Sequence, residues 1–176
     1  MILSLICARK GSKRLPNKNL RKINNKSLLS HSIEHAKDTN LIDKIILSTD
    51  CPIIAEEGQK YGAEVPFMRP VALAKDDTPE WKVWQHALNF LKLEKIDALV
   101  IIPTTAPLRN KYDIISAINI FKSNTCDGVL SVTNSHRNPT FNIVKENKNK
   151  FAQIAIQSSA NLFRSQDAEN FFDLTT

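Results

Sequence analysis

Glycine is scarce in this 176-residue chain, with only Gly11, Gly58, Gly62 and Gly128 present. Neither the P-loop pattern G-x-x-x-x-G-K-[ST] nor the dinucleotide fingerprint G-x-G-x-x-G occurs, which argues against a P-loop NTPase and a dinucleotide dehydrogenase. Cysteine is also rare. Cys7, Cys51 and Cys126 are far apart and odd in number, so they suggest neither a disulfide framework nor a Cys-x-x-Cys metal clamp. No apolar run approaches the ~18 residues a membrane span needs, and no membrane partner is expected. The opening MILSLICARK lacks a basic n-region, and its apolar run breaks at Arg9, unlike a secretory signal. The cytoplasm is the expected compartment.

The rest of the composition is globular, at 42% hydrophobic and 24% charged, and suits one domain with a real core. The net charge of +6 would by itself suggest nucleic acid. Its distribution points elsewhere. Between Arg9 and Lys26 stand eight basic residues and no acid, and outside that stretch sixteen basic residues face eighteen acidic ones. The basicity is one local site on a nearly neutral protein, which fits a small polyanion and not a nucleic acid.

Ile2 to Ala8 is almost continuously apolar, the pattern of a strand buried on both faces in a parallel sheet. Lys44–Thr49, Ala98–Ile102 and Gly128–Val132 read the same way. Helices are expected over Leu28–Lys37, over Ile53–Tyr61 with a stop at Gly62, around Trp84, Ala87, Leu88 and Leu91, and around Ile114, Ala117, Ile118 and Phe121. Thr78 before Pro79, Asn110 and Asp50 are the candidate N-caps. Alternating strands and helices predict βαβ units in an α/β sheet. After about Asn134 the pattern loosens, with short strands expected at Phe141–Lys145 and Phe151–Ile156. An arm over 134–167 is therefore expected within a single domain. Its Phe141, Ile143, Phe151, Ile154 and Ile156 have no obvious sheet to cover, so a homodimer built partly on the arm is expected.

Ligands of open α/β sheets bind beyond the carboxyl ends of the strands. After the first strand comes Arg9-Lys10-Gly11-Ser12-Lys13-Arg14-Leu15-Pro16-Asn17-Lys18-Asn19. Here Gly11 permits close backbone approach, Ser12 offers a hydroxyl, and Arg9, Lys13 and Lys18 offer charge-assisted bonds to phosphate. Thr49 and Asp50 follow the second strand, and Thr104, Thr105 and Arg109 follow the third. A solvated lysine-rich turn is the bland alternative. Gly11, Pro16 and the place after a buried strand favour a loop that holds a nucleoside triphosphate.

The stretch Ala8 to Asn19 resembles the A-R-G-G-S-K-G-x-P-x-K-N loop of the acylneuraminate cytidylyltransferase family, which makes CMP-activated nonulosonic acids. The likeness continues through Leu47–Asp50, Tyr61–Pro70, Leu73–Asp76 and Pro107–Arg109, and again at Arg164-Ser165-Gln166-Asp167. The resemblance implies a Rossmann-like, GT-A-like nucleotidyltransferase fold in three layers with a mainly parallel sheet, and Mg²⁺-dependent transfer. In that reaction the anomeric hydroxyl of an acidic sugar attacks the α-phosphorus of CTP and pyrophosphate leaves. By position it implies Arg9 and Lys13 as catalytic residues, Ser12, Lys18 and Asn19 at the triphosphate, and Arg69 near the nucleotide. Thr104, Thr105 and Arg164 are expected on the sugar side, and the metal ligands stay unassigned.

Lys10 and Arg14 replace glycines of the family loop, which makes it stiffer and more basic. Pro103-Thr104-Thr105-Ala106-Pro107 stands where Q-P-T-S-P is common, and the missing glutamine leaves the sugar open. Members of the family continue past this length to an aspartate pair that binds metal, so a C-terminally incomplete chain is expected. A deoxy-octulosonate or other sugar nucleotidyltransferase, or a non-catalytic nucleotide-binding fragment, are the alternatives. His31-Ser32-Ile33-Glu34-His35 matches the inverted zinc-peptidase pattern, but reads as scaffold helix. Asp76 and Asp77 are either nucleotide or metal contacts or helix-capping loop acids. Trp81 and Trp84 read as packing.

Overall fold

Ile2 and Ile6 pack into one apolar cluster while Leu3 and Leu5 pack into another, so the first strand is buried on both faces. In this computed structural model, which describes residues 1–92, 95–123, 125–157, 164 and 168–175, that strand, β1 (Ile2–Cys7), lies at the centre of a parallel sheet. Two short strands, β2 (Lys22–Ile23) and β3 (Lys26–Ser27), form a small antiparallel pair. On either side of β1 lie β4 (Lys44–Ser48) and β5 (Ala98–Ile101), with Leu5 opposite both Ile46 and Ile101. Because all three run in one direction, their carboxyl ends share one edge.

Helices cover both faces. On one lie α1 (Leu28–Lys37), α2 (Pro52–Tyr61) and α4 (Lys111–Lys122), which contribute Leu29, Ile33, Ile54, Ile114 and Ile118 to the cluster of Ile2 and Ile6. On the other lies α3 (Glu80–Leu91), whose Ala87 joins Leu3, Leu5, Ile46 and Phe67, with Trp84 packed against them. The architecture is three-layer α/β, as expected. Gly62 ends α2 in the left-handed region at φ 97°, where a side chain would be strained. Asn110 caps α4 in a capping box with Asp113.

Two capping expectations need correction. Pro79, not Thr78, is the residue before α3, and Cys51, not Asp50, precedes α2. Asp50 is drawn instead to a loop amide described below.

The chain divides into two compact units, 1–127 and 128–176. In the second, β6 (Val132–Asn134) pairs antiparallel with β9 (Phe172–Leu174), and β7 (Val144–Glu146) pairs antiparallel with β8 (Ala152–Ile154). The run Gly128–Val132 is therefore not a buried parallel strand. Only its last residue enters β6, whose residues are exposed, because its partner among the described residues is a three-residue antiparallel strand. The turn between β7 and β8 is built by Asn147, whose Oδ1 accepts from Asn149 N at 2.9 Å and Phe151 N at 3.0 Å.

Candidate active site at the carboxyl edge of the sheet

The chain leaves β1 still tied to β4, since Ala8 N–H donates to Ser48 O at 3.0 Å. The Arg9–Lys10 peptide group is held from both ends. The Arg9 carbonyl accepts from Asn19 Nδ2 at 2.9 Å, and Lys10 N–H donates to Asp50 Oδ1 at 2.9 Å. The loop returns through Asn17, which sits at φ 55° in the left-handed region that asparagine tolerates, into a short 3₁₀ turn over Lys18–Leu20. That turn carries Asn19 inward, where it is only 3% exposed. Its Oδ1 accepts from Thr104 Oγ1, just beyond β5, at 2.8 Å. Asn19 and Thr104, expected at the triphosphate and at the sugar, are thus placed inside, their polar atoms engaged with each other and with the loop backbone.

The outer side of the loop faces an open cleft of about 720 Å³ lined by Arg9, Gly11, Ser12, Lys13, Ala74, Lys75, Asp76 and Asp77. Arg9 Nη1 donates to Ala74 O at 3.2 Å, and Arg9 and Lys13 both pair with the Asp76 carboxylate. Lys13 and Arg9 hold that carboxyl below its usual pKa. A cation pair aimed at one carboxylate is also equipped to hold phosphate oxygens. Gly11 needs no left-handed backbone, and a Cβ on it would meet nothing nearer than Arg9 Nη1 at 3.7 Å. What its small size leaves open is the cleft.

Arg69 reaches the same edge because the segment after α2 runs beside β4. Leu47 N donates to Glu64 O at 2.9 Å, and Arg69 N donates to Thr49 O at 2.7 Å. The Arg69 guanidinium is buried, with Nε on Ser48 Oγ at 3.0 Å and Nη2 on Ser48 O at 2.7 Å. Burial pulls its pKa down, yet an arginine stays charged. Burial also pushes the Cys7 thiol, at the end of β1, up to about 12.

Ser12, Lys13 and Arg9 therefore meet at one cleft. Lys18 is half-buried in the 3₁₀ turn, and Thr105 is exposed after β5. Arg164 belongs to the second unit, and Ser165, Gln166 and Asp167 lie outside the described residues. Sequence reasoning missed the anchoring of Asp50 and the pairing of Asp76. The first was open to inference, because Cys7 stands opposite Ser48 in parallel register, which brings Lys10 and Asp50 close. The zinc-like pattern is taken up by scaffold: His31 Nε2 donates to Ile23 O at 3.0 Å and Glu34 pairs with Lys26 at 2.8 Å. Among the described residues no three His, Cys, Asp or Glu side chains group to hold a metal ion.

Residues 3–173 match the cytidylyltransferase family. The chain is 36% identical to the post-translational flagellin modification protein B of Campylobacter coli. It is 37% identical to the CMP-N,N'-diacetyllegionaminic acid synthase of Campylobacter jejuni. Each alignment covers 98% of this chain and 74% of the relative. A CMP:2-keto-3-deoxy-manno-octonic acid synthetase solved with CTP superposes with a TM-score of 0.67 at 20% identity, over 99% of this chain and 71% of that one, a likeness of fold. A basic loop closing the central strand of a parallel sheet, in a chain that matches along nearly its whole length, leads to one conclusion: the protein belongs to the cytidylyltransferase family.

Proposed function

We propose that this chain transfers the cytidylyl group of CTP to an acidic sugar of the nonulosonic class, releasing pyrophosphate. Family membership makes it a CTP-dependent nucleotidyltransferase; the relative named as a legionaminic acid synthase supports the sugar class. The observation that carries the reading is the convergence of Arg9 and Lys13 on one carboxylate at the cleft mouth. The triphosphate takes the place of Asp76 between these two cations, with Ser12 and Lys18 beside it and Arg69, anchored on Ser48, toward the nucleoside. The sugar's anomeric hydroxyl bonds to the α-phosphorus, its proton passes to solvent, and the bond to the bridging oxygen breaks. Arg9 and Lys13 neutralise the charge that gathers on the departing pyrophosphate. Thr105 belongs on the sugar side of this proposal.

Mg²⁺ enters this reading as a companion of the triphosphate, supplying Lewis-acid neutralisation when bound. The described residues bring no cluster of ligands to it, with Asp50 on Lys10 and Asp76 on Arg9 and Lys13, so no step is assigned to it. The second unit exposes Leu130, Val132, Val144, Phe151, Ile156, Phe172 and Leu174, which supports a homodimer built there. A strictly monomeric species in sedimentation at high micromolar concentration would count against that. CTP as substrate fits a cytoplasmic site of action, and among the described residues no helix is long and apolar enough to cross a membrane.

Pyrophosphate release is the test, with CTP offered against the other three nucleoside triphosphates and nonulosonic acids against a deoxy-octulosonate. Turnover with CTP and a nonulosonic acid is expected. Turnover only with the octulosonate would overturn the sugar class, and indifference to the base would overturn CTP dependence.

A further inference from the structure

A single peptide group of the phosphate loop, the one joining Arg9 to Lys10, is gripped at both its polar ends by side chains distant in sequence. Asn19 donates to its carbonyl, Asp50 accepts from its N–H, and Thr104 fixes Asn19 from behind. The three anchors follow β1, β4 and β5, so the peptide is referenced to all three strands of the sheet. The chemistry at each anchor is specific. A carboxamide can donate to a carbonyl with one atom while accepting from a hydroxyl with the other, and a carboxylate gives the amide a charge-assisted acceptor. None of the three anchors lines the cleft.

We infer that Asn19, Asp50 and Thr104 are positioning residues that set the plane of the Arg9–Lys10 peptide and so aim Arg9 and Lys13 at the triphosphate. Rotation of that plane would swing both side chains relative to the sheet. A misplacement of about 1 Å at reacting phosphates can cost roughly a hundredfold in rate. A loop rich in lysine and arginine has enough charge to attract CTP in many poses, and the clamp selects one of them. The functional half of this inference rests on the cytidylyl-transfer reading, whereas the clamp itself does not.

The test pairs a structural readout with a kinetic one. Amide hydrogen exchange of Lys10, followed by NMR, should be slow in the unmodified protein although the residue is exposed. It should accelerate about tenfold or more in Asp50→Ala, the effect of one lost hydrogen bond. Asp50→Asn keeps an acceptor oxygen and should restore most of the protection. In the kinetic arm, kcat/KM for CTP should fall at least about tenfold in Asp50→Ala and recover in Asp50→Asn. Asn19→Asp sets an oxygen against the Arg9 carbonyl and should do no better than Asn19→Ala. Because both ends act on one peptide, Asn19→Ala and Asp50→Ala should be less than additive in the double variant.

Unchanged Lys10 exchange in Asp50→Ala, or full additivity of the two losses, overturns the inference. If Asn19 variants fail to fold, the partly exposed Asp50 pair still decides. Absence of CTP binding by the unmodified protein would sink the functional reading and the purpose assigned to the clamp. The exchange rates would then still report whether the clamp exists.

Discussion

The loop after β1 has an outer side and, with the residues packed beneath it, an inner side, and they are made of different residues. Outward stand Lys10, Lys13 and Arg14, all exposed, with Lys13 at 82%. Inward lie Asn19, Thr104 and Arg69, each under 10% exposed, with side-chain polar groups bonded to other parts of the protein. The outer residues supply charge that water and salt can screen, while the inner ones supply geometry that they cannot. Attraction and aim are therefore separable properties of this site. Substitutions on the two sides should fail in different ways.

The largest contrast is chemical. Cys7, the last residue of β1, has its thiol pushed up to about 12 by burial, while Cys126 is exposed. At pH 8 Cys7 therefore stays almost wholly in the thiol form, while thiolate is the form that reacts. A thiol-specific reagent should label Cys126 fully before Cys7 or the buried Cys51 shows any adduct in a peptide map. Early labelling of Cys7 would mean that the inner side opens to solvent.

Next come the outer cations. Lys13→Ala and Arg9→Ala should each cost about 2–4 kcal/mol in transition-state stabilisation, read from kcat/KM for CTP. For Lys13→Ala the thermal midpoint should stay within a degree or two of its original value, about the effect of a neutral surface change. A near-normal rate in Lys13→Ala would remove it from the site. Arg69→Met should show the opposite pattern. It strips two hydrogen bonds from Ser48, whose side chain is fully buried. The expected loss is about 2–4 kcal/mol of unfolding free energy in urea titration. A stability unchanged within error would show that Ser48 finds other partners.

The same division explains what could be read from sequence. Outer residues announce themselves, since a run of eight bases without an acid needs no fold to be noticed. The parallel sheet and the bounds of α1 were equally legible, because apolar runs and helical periods are local. Inner residues are polar and unremarkable until partners arrive from 40 to 85 positions away, as Asp50 does from after β4 and Thr104 from after β5. Asp50 looked like a helix cap because Cys51-Pro52 follows it, and the competing loop amide lay 40 residues back. The run Gly128–Val132 failed for a related reason. It is mostly apolar, as Ile2–Ala8 is, but burial is decided by what pairs with a strand, and β6 pairs with short β9.

The smallest expected effect lies at Asp76, where the outer side meets its own counter-ion. Lys13 and Arg9 hold this carboxylate below its ordinary pKa. Because the folded value is depressed, the clasp is fully present above the ordinary carboxylate range, about pH 4. It is lost only as pH falls through the lower folded value. On the proposed reading, the triphosphate displaces an ionised Asp76 at neutral pH. Asp76→Asn should bind CTP a few times more tightly in calorimetry at about 0.1 M salt, and the advantage should shrink near 1 M, where the Debye length is about 3 Å. The thermal midpoints of the two proteins should differ by a small constant amount at neutral pH, because the pair is exposed to solvent, and converge in strong acid. Weaker CTP binding by Asp76→Asn would reverse the assignment: the carboxylate would then be serving the bound state, and the outer side would hold phosphate through more than its cations.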